Sequence, residues 1–140
     1  MKAFAIWLAI VAVVFGAYAL ITVATRDTTR VFVYLDVSNP MATKLSDARR
    51  ELDRIDDRDH AEFALAVGRR RHNELVHSWQ SSLALPASER PFSLCDLSRV
   101  TEFAEAEEAD EKTLITVAGS ECLDDALRAE LADWTIVELR

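Results

Sequence analysis

The sequence predicts an α/β protein: a small, mostly parallel, doubly wound sheet with helices on both faces, preceded by one N-terminal transmembrane helix. Three observations predict this class. Residues 3–25 contain no charged side chain, and residues 31–37 form a β-branched and aromatic run typical of a strand buried on both faces. Behind that run, strand-like and helix-like segments alternate. We therefore divide the 140 residues into an anchor over 1–25 and one α/β domain over 26–140.

The apolar leader has the length of a membrane span. At about 1.5 Å per residue, a helix over 3–25 reaches roughly 35 Å, more than the roughly 30 Å hydrocarbon core of a bilayer. The alternative is a cleaved signal peptide, with Lys2 as its positive region and Ala17-Tyr18-Ala19 as its cleavage site. Against it, the apolar stretch continues to Ala24. The two residues ahead of the apolar run form a very short tail, and such a tail before a signal-anchor usually stays in the cytoplasm. We therefore predict a single-pass protein of a bacterial inner membrane with a periplasmic or extracytoplasmic domain.

Charge and cysteine content limit the partners and chemistry of the domain. The formal net charge is −8, and all 24 acidic side chains lie after residue 26. Such a domain repels phosphate backbones, so we expect no nucleic-acid partner. Cys95 and Cys122 do not form a C-x-x-C pair, so zinc and thiol-redox motifs are unsupported. Outside the cytoplasm we expect them to form one disulfide and inside it to be thiols; the alternative is that they are two small apolar core residues.

The first half of the domain predicts a strand, a helix and a hairpin. Residues 31–37 are predicted as the central strand. Asn39 is expected to cap the next helix, with Pro40 at its first position. Apolar side chains then recur at helical spacing at Leu45, Ala48, Leu52 and Ile55. Residues 62–67 form a second apolar strand, and 74–80 alternate as its antiparallel partner, with a short amphipathic helix as the alternative.

The second half predicts two more helices and two more strands. An apolar stripe over 94–104 has helical spacing, and 113–117 is strand-like. Gly119 and Ser120 are expected to form a turn and a helix N-cap. An apolar helical face follows at Leu123, Ala126, Leu127 and Leu131. Residues 134–139 supply a closing strand.

Polar residues follow two of the predicted parallel strands. Asp36 and Ser38 come directly after the central strand, and Ser120 and Glu121 come after the strand over 113–117. Ligands of open α/β sheets bind beyond the carboxyl ends of the strands. We therefore predict that these two turns carry whatever binding function the domain has.

The order of elements and the residues Val31-Phe-Val-Tyr-Leu-Asp36-Val-Ser38-Asn-Pro40-Met41-Ala42 resemble a von Willebrand factor A domain. The resemblance covers about residues 31–140. It implies a Rossmann-like fold, an Asp-x-Ser-x-Ser metal motif after the first strand, an antiparallel third strand and a later Thr-Asp-Gly. It also implies protein contacts through the strand-end face.

The chain departs from this motif at two positions, so the metal site implied by the resemblance is degenerate. Asp36 and Ser38 match, but Pro40 stands where the second serine belongs, and Val117-Ala118-Gly119 stands in place of Thr-Asp-Gly. Mg²⁺ prefers about six oxygen ligands. We expect at most weak Mg²⁺ or Ca²⁺ binding by Asp36, Ser38 and Glu121, and no other cofactor.

These features favour a binding function over catalysis. We expect a membrane-anchored protein-interaction domain, an accessory or scaffold subunit of a bacterial membrane or envelope complex. Its partners are other membrane or envelope proteins, and residues 3–25 contact the bilayer. The candidate interaction residues are Asp36, Ser38, Asn39, Ser120 and Glu121. The alternative is a metal-dependent adhesion or chaperone module that uses the Asp36 and Ser38 turn.

An enzyme is the less favoured class. Nucleophilic catalysis needs a Ser or Cys beside a His and an acid. His60, His72 and His77 all lie far in sequence from any nucleophile-elbow pattern, and no Walker or dinucleotide glycine motif occurs. We therefore assign no catalytic residues.

Overall fold

The computed structural model describes residue 7, residues 11–17 and residues 28–140. The predicted span over 3–25 lies largely outside the described residues. Within the part of the chain that is described, no helix combines the length and apolar character needed to cross a bilayer. The elements are the strands β1 (Thr29–Asp36), β2 (Ala61–Arg69), β3 (His72–Gln80), β4 (Glu111–Val117) and β5 (Thr135–Leu139), and the helices α1 (Leu45–Asp56), α2 (Ala104–Glu108) and α3 (Asp125–Glu130).

The five strands form one mostly parallel sheet in the order β3-β2-β1-β4-β5. β1 lies at the centre and pairs in parallel with β2 and β4, while β5 extends the sheet in parallel beside β4. β3 is antiparallel to β2, and the two are joined by a two-residue turn at Arg70 and Arg71. The predicted α/β class and the predicted hairpin are confirmed, and the alternative helix over 74–80 is wrong.

Both faces of the sheet are covered, which explains why residues 31–35 of β1 carry no charged side chain. Val31, Val33 and Leu35 point to one face and pack with the apolar stripe of α1. Phe32 and Tyr34 point to the other face, where they meet a second cluster that includes Leu97, Val100, Ala106, Leu123, Leu131 and Trp134. Successive strand residues alternate between faces, so a stretch of strand that is buried on both sides has no solvent-facing position.

The chain after β1 departs from the predicted capped helix. Asn39–Thr43 forms a 3₁₀ helix with Pro40 in its first turn, and Ser38 rather than Asn39 is its N-cap residue. α1 begins only at Leu45. The tighter 3₁₀ turn places Met41 fully inside the core cluster under α1. The burial of Met41 accounts for the 3₁₀ helix that stands in place of the predicted start of α1.

The segment between β3 and α2 wraps around the carboxyl ends of the strands instead of forming the predicted helix. Leu83 packs on the α1 face, whereas Leu97 and Val100 pack on the opposite face. Leu97 and Val100 are therefore buried as predicted, whereas Leu94 is exposed, and only Ala104–Glu108 is helical. The backbone at Phe92, Ser93 and Leu94 bonds to residues at the strand ends, and the bonds within the segment close only short turns, so tertiary contacts override the helical spacing.

Ser120 is not the N-cap of the last helix. Asp124 is, since its side chain accepts a hydrogen bond from the Leu127 amide at 2.8 Å. Gly119 forms the predicted turn with a φ of 73°, in the left-handed region that favours glycine. Ser120 is thereby left in the loop after β4, available to the strand-end site.

Candidate functional site at the carboxyl ends of the strands

Asp36 ends β1 and connects three segments of the chain. Its side chain is 1% exposed. Oδ1 accepts a hydrogen bond from the Ser38 amide at 2.9 Å, and Oδ2 accepts one from Thr116 Oγ1 on β4 at 3.0 Å. β1 and β4 are adjacent and parallel, so their carboxyl ends bring these groups together. We call Asp36, Ser38 and Thr116 the buried brace.

The Ser38 hydroxyl is the unsatisfied group of the buried brace. Ser38 is fully buried, and its Oγ has no hydrogen-bond partner among the residues that the structure describes. A buried hydroxyl without a partner carries a desolvation cost and indicates a site for a water or an ion. This is the one observation in favour of the predicted metal function.

The rest of the donor set fits Mg²⁺ or Ca²⁺ poorly. Both Asp36 oxygens already accept hydrogen bonds, and Pro40 supplies no side-chain oxygen. Glu121 is exposed on the loop after β4. Across residues 28–140 and the described leader positions, no group of three or more acidic, histidine or cysteine side chains is arranged to hold a metal. The metal assignment to Asp36, Ser38 and Glu121 stays a prediction.

A cleft of about 470 Å³ opens next to the buried brace. One wall is Leu94 and Cys95, the other is the loop 117–122, and Pro40 contributes to the lining. Of the five predicted interaction residues, Ser120 and Glu121 line this cleft, and Asn39 is exposed beside Pro40. Asp36 and Ser38 are buried. The predicted strand-end turns thus converge, but with two of the five residues in contact with the cleft.

A disulfide bond joins the two walls of the cleft. Cys95 and Cys122 are linked with a Cα–Cα distance of 6.1 Å, which decides between the two alternatives left open by the sequence. Ser120 Oγ lies 3.3 Å from the sulfur of Cys95 and 3.1 Å from that of Cys122. The bond holds the segment that wraps the strand ends against the loop after β4, so a covalent link joins the two walls of the cleft.

Phe92, Ser93 and Leu94, which we call the rim, cross the carboxyl ends of β1 and β2. The Phe92 amide donates to the Val37 carbonyl at 3.1 Å, the Ser93 carbonyl accepts from Asn39, and the Leu94 carbonyl accepts from Arg70, both at 2.9 Å. Ser93 has a φ of 72°. Phe92 is 53% exposed and Leu94 is 59% exposed. The rim is rigidly attached yet presents two large apolar side chains to solvent.

Arg69 supports the rim from below. Its side chain is 10% exposed, and Nη1 donates to Glu89 Oε1 at 2.7 Å. The guanidinium lies 4.1 Å from the centre of the Phe92 ring, a cation–π contact. Arg69 is therefore the last residue of β2 and packs against Phe92, whereas Arg70 and Arg71 form the turn that follows. Sequence reasoning missed the rim, because its only local signal is an apolar Phe-Ser-Leu-Cys run after Pro91.

Tyr34 closes the opposite face of the sheet near the same end. Its hydroxyl donates to Asn73 Oδ1 at 2.6 Å. Burial, with a smaller contribution from the Asp36 carboxylate, raises the pKa of Tyr34 far above its ordinary value. Tyr34 therefore stays protonated and acts as a donor. Gly68 leaves the space for this contact, since a Cβ there would lie 1.5 Å from the Tyr34 hydroxyl oxygen.

Fold and site together define a small, open, mostly parallel α/β domain with a disulfide-framed cleft at its strand ends. Comparisons of the sequence with protein-family models, with curated proteins and with solved structures find no match.

Proposed function

We propose that this chain is a membrane-anchored protein-interaction domain that binds a partner protein at the cleft and rim, as an accessory or scaffold subunit of a bacterial envelope complex. The observation that carries the proposal is the rim. Two large apolar side chains, Phe92 and Leu94, are held in the open beside a cleft of about 470 Å³. Exposed apolar side chains grouped at a concave site are typical of protein-binding surfaces.

The rigidity of this surface favours binding. Three backbone hydrogen bonds attach the rim to the strand ends, Arg69 stacks under Phe92, and the Cys95–Cys122 disulfide fixes the opposite wall. A surface already held in one conformation loses little conformational entropy when a partner binds. The proposal is therefore one of recognition and not of catalysis.

The chemistry of the cleft favours a partner with an apolar anchor next to a basic side chain. Val117 and Ala118 provide apolar lining, and Glu121 places an exposed carboxylate at the edge. The chain as a whole carries a net charge of −8, which attracts basic surfaces over acidic ones.

The membrane part of the proposal rests on the apolar run over 3–25. A span there would join the domain next to Thr29, at the amino end of β1. The eight residues of β1 extend for about 26 Å, so the cleft lies at the far end of the sheet from this junction. The disulfide supports an oxidising compartment outside the cytoplasm. The antiparallel β3 agrees with the von Willebrand factor A-like resemblance.

The test is a mild-detergent pull-down of the intact chain beside Leu94→Asp and Glu121→Lys variants, with mass spectrometry of the eluate. Ser78→Asp is the matched control, since Ser78 is exposed on β3 away from the cleft. We expect a partner that is retained by the control and lost with both cleft variants. A partner that binds all four proteins equally would overturn the assignment to the cleft and direct attention to the anchor.

A metal-dependent adhesion or chaperone module is the second candidate, favoured by the unsatisfied Ser38 hydroxyl. Here Asp36 and Ser38 would hold a weakly bound Mg²⁺ or Ca²⁺, with Glu121 as an added carboxylate. The melting temperature of the chain would then rise with added cation, and Ser38→Ala would abolish the rise. An unchanged melting temperature across millimolar Mg²⁺ and Ca²⁺ would exclude this candidate.

A further inference from the structure

The outer edge of β5 presents unused backbone hydrogen-bonding groups. β5 ends the sheet, and within residues 28–140 no strand pairs with its outer side. The Leu139 carbonyl accepts a hydrogen bond from the Ala118 amide, so Leu139 faces β4. Backbone direction alternates along a strand, so Thr135 and Val137 also face β4. The amide and carbonyl of Ile136 and of Glu138 therefore point outward.

The two edges of the sheet differ in how they are protected. At the β3 edge, the pairing with β2 contains two register shifts between Phe63 and Ala66, an irregularity that disrupts further strand addition. β5 pairs with β4 without any shift and is mostly β-branched or apolar. Its one charged side chain, Glu138, is neutralised by a salt bridge to Arg128. Within the described residues, β5 is thus a short edge that has neither a bulge nor an unpaired charge to oppose edge-to-edge pairing.

We propose that β5 pairs antiparallel with β5 of a second copy of this chain, so that the two sheets form one ten-stranded sheet. In this register Ile136 lies opposite Glu138 of the other copy, and Val137 meets its own counterpart on the two-fold axis. The outward groups of Ile136 and Glu138 then make four intermolecular hydrogen bonds. This inference does not depend on the function proposed for the cleft.

Self-complementarity selects the second copy and this register. A two-fold axis at Ile136 would require the Trp134 amide to donate a hydrogen bond to the other copy. That amide already donates to the Leu131 carbonyl at 2.9 Å. An axis at Glu138 would place two carboxylates directly opposite each other, which is destabilising. The axis at Val137 avoids both problems and sets each Glu138 beside an Ile136.

The side chains near the axis are suited to burial between two copies. Val137 and Leu139 are half-buried and continue the core cluster on the α1 face. Ile136 is half-buried against the cluster on the other face. A shallow groove between α1 and β5, lined in part by Ile55, Thr135 and Val137, leaves this end of the α1 face open. Pairing of β5 covers the apolar edge that a single copy leaves in water.

The expected association is weak in dilute solution. A five-residue strand buries much less surface than the roughly 1,600 Å² of a standard stable interface. Chains held at high local concentration, such as anchored copies in one membrane, gain effective concentration without any new contact. The two-fold axis is perpendicular to the sheet. Both anchors therefore reach the same bilayer when the plane of the sheet is parallel to the membrane surface.

The test uses single cysteine substitutions in the full chain, reconstituted in lipid nanodiscs or vesicles and oxidised with air and copper phenanthroline. At the axis, the two Val137 Cα atoms would lie about 4.5 Å apart, within disulfide range, so Val137→Cys should cross-link to itself. Thr135→Cys is the matched control on the same strand and face, because its two copies would be about 13 Å apart along the strand. We expect a cross-linked dimer from Val137→Cys only.

A second pair of variants separates pairing from folding. Glu138→Pro removes an outward amide without removing a bond to β4, whereas Glu138→Gln keeps the amide and removes only the charge. In the Val137→Cys background, Glu138→Pro should lower cross-linking about tenfold, since two intermolecular hydrogen bonds are lost, and Glu138→Gln should leave it nearly unchanged. Thermal melts confirm that each variant is folded.

Three results would overturn the proposal. Equal cross-linking of Val137→Cys and Thr135→Cys would indicate random collision. A Val137→Cys chain that stays monomeric while folded in the membrane would show that the edge does not self-pair. When the same oxidation is applied to membranes of the expressing cells, cross-linking of Val137→Cys to a different protein in place of itself would replace the second copy by a partner strand.

Discussion

Two regions at the same end of the sheet differ in what they expose. The buried brace contains Asp36 and Ser38, which the sequence presents as candidate metal ligands. Both side chains are almost fully buried, and both carboxylate oxygens of Asp36 accept hydrogen bonds from within the domain. The rim contains no residue that stands out in the sequence, yet Phe92 and Leu94 are the most exposed large apolar side chains of the domain. Polar residues at a strand end therefore serve here as internal support, and an apolar loop provides the surface.

The comparison predicts that support and surface respond differently to substitution. Changes in the supporting groups lower stability, whereas changes in the rim lower binding and leave stability nearly unchanged.

The largest loss of stability is expected from removal of the disulfide. Replacing Cys95 and Cys122 by serine opens a cross-link that spans 27 residues of sequence. A disulfide that closes a loop of this length stabilises the folded protein by about 3.5 kcal/mol, because it reduces the entropy of the unfolded chain. Urea denaturation of both forms measures the difference, with the reduced wild-type chain as control. A loss below about 1 kcal/mol would mean that the disulfide contributes little to the fold.

Asp36→Ala is expected to cost about 3 kcal/mol, because the Ser38 amide and the Thr116 hydroxyl lose a buried acceptor. Asp36→Asn keeps one carbonyl acceptor and should lose less. Chemical denaturation compares the two variants. If Asp36→Ala is as stable as the wild-type chain but no longer captures a partner, the brace is a binding group and the distinction between the two regions fails.

Two glycines provide a matched test of buried and open positions. At Gly68 a Cβ would collide with the Tyr34 hydroxyl, so Gly68→Ala should cost about 2 kcal/mol or more. At Gly119, on the cleft wall, no atom beyond the adjacent residues lies within 4 Å of the position that a Cβ would take, and only the φ of 73° opposes alanine. Gly119→Ala should therefore cost about 1 kcal/mol. The reverse order of melting temperatures would contradict this account of the Tyr34 contact.

The smallest effect on stability is expected at the rim. Leu94→Ser removes a side chain that is 59% exposed, so the free energy of unfolding should change by about 0.5 kcal/mol or less. Partner capture by the same variant should fall strongly. Leu97→Ser is the buried counterpart and should unfold the domain at much lower denaturant. Unchanged capture by folded Leu94→Ser would remove the rim from the proposed surface.

Much of the sheet was predictable from local patterns. The apolar run over 31–37 indicates a strand covered on both faces, and β1 is central in the structure. Alternation over 74–80 predicts the antiparallel partner of β2, which is confirmed. The positions of Ser120 and Glu121 after β4 predict a strand-end site, and both line the cleft. The two strand predictions succeed because side-chain periodicity reports directly on which faces of an element are buried, whereas a function for the strand-end cleft stays a prediction.

The path of residues 81–103 was not predictable in the same way. Its apolar spacing over 94–104 indicates a helix, but the segment wraps the strand ends and bonds to Val37, Asn39 and Arg70. Those partners lie tens of residues away in sequence. Likewise, the sequence leaves the state of Cys95 and Cys122 open, and only the approach of two loops brings them together.

The sequence by itself determined the α/β class, the order of the strands along the chain and the acidic charge, because periodicity and composition are local properties. Only the tertiary structure decided that Asp36 is internal support, that the rim is exposed, and that β5 is an edge strand within residues 28–140. Those outcomes depend on which distant segments pack together, and burial of the shared core, rather than any local pattern, selects that packing.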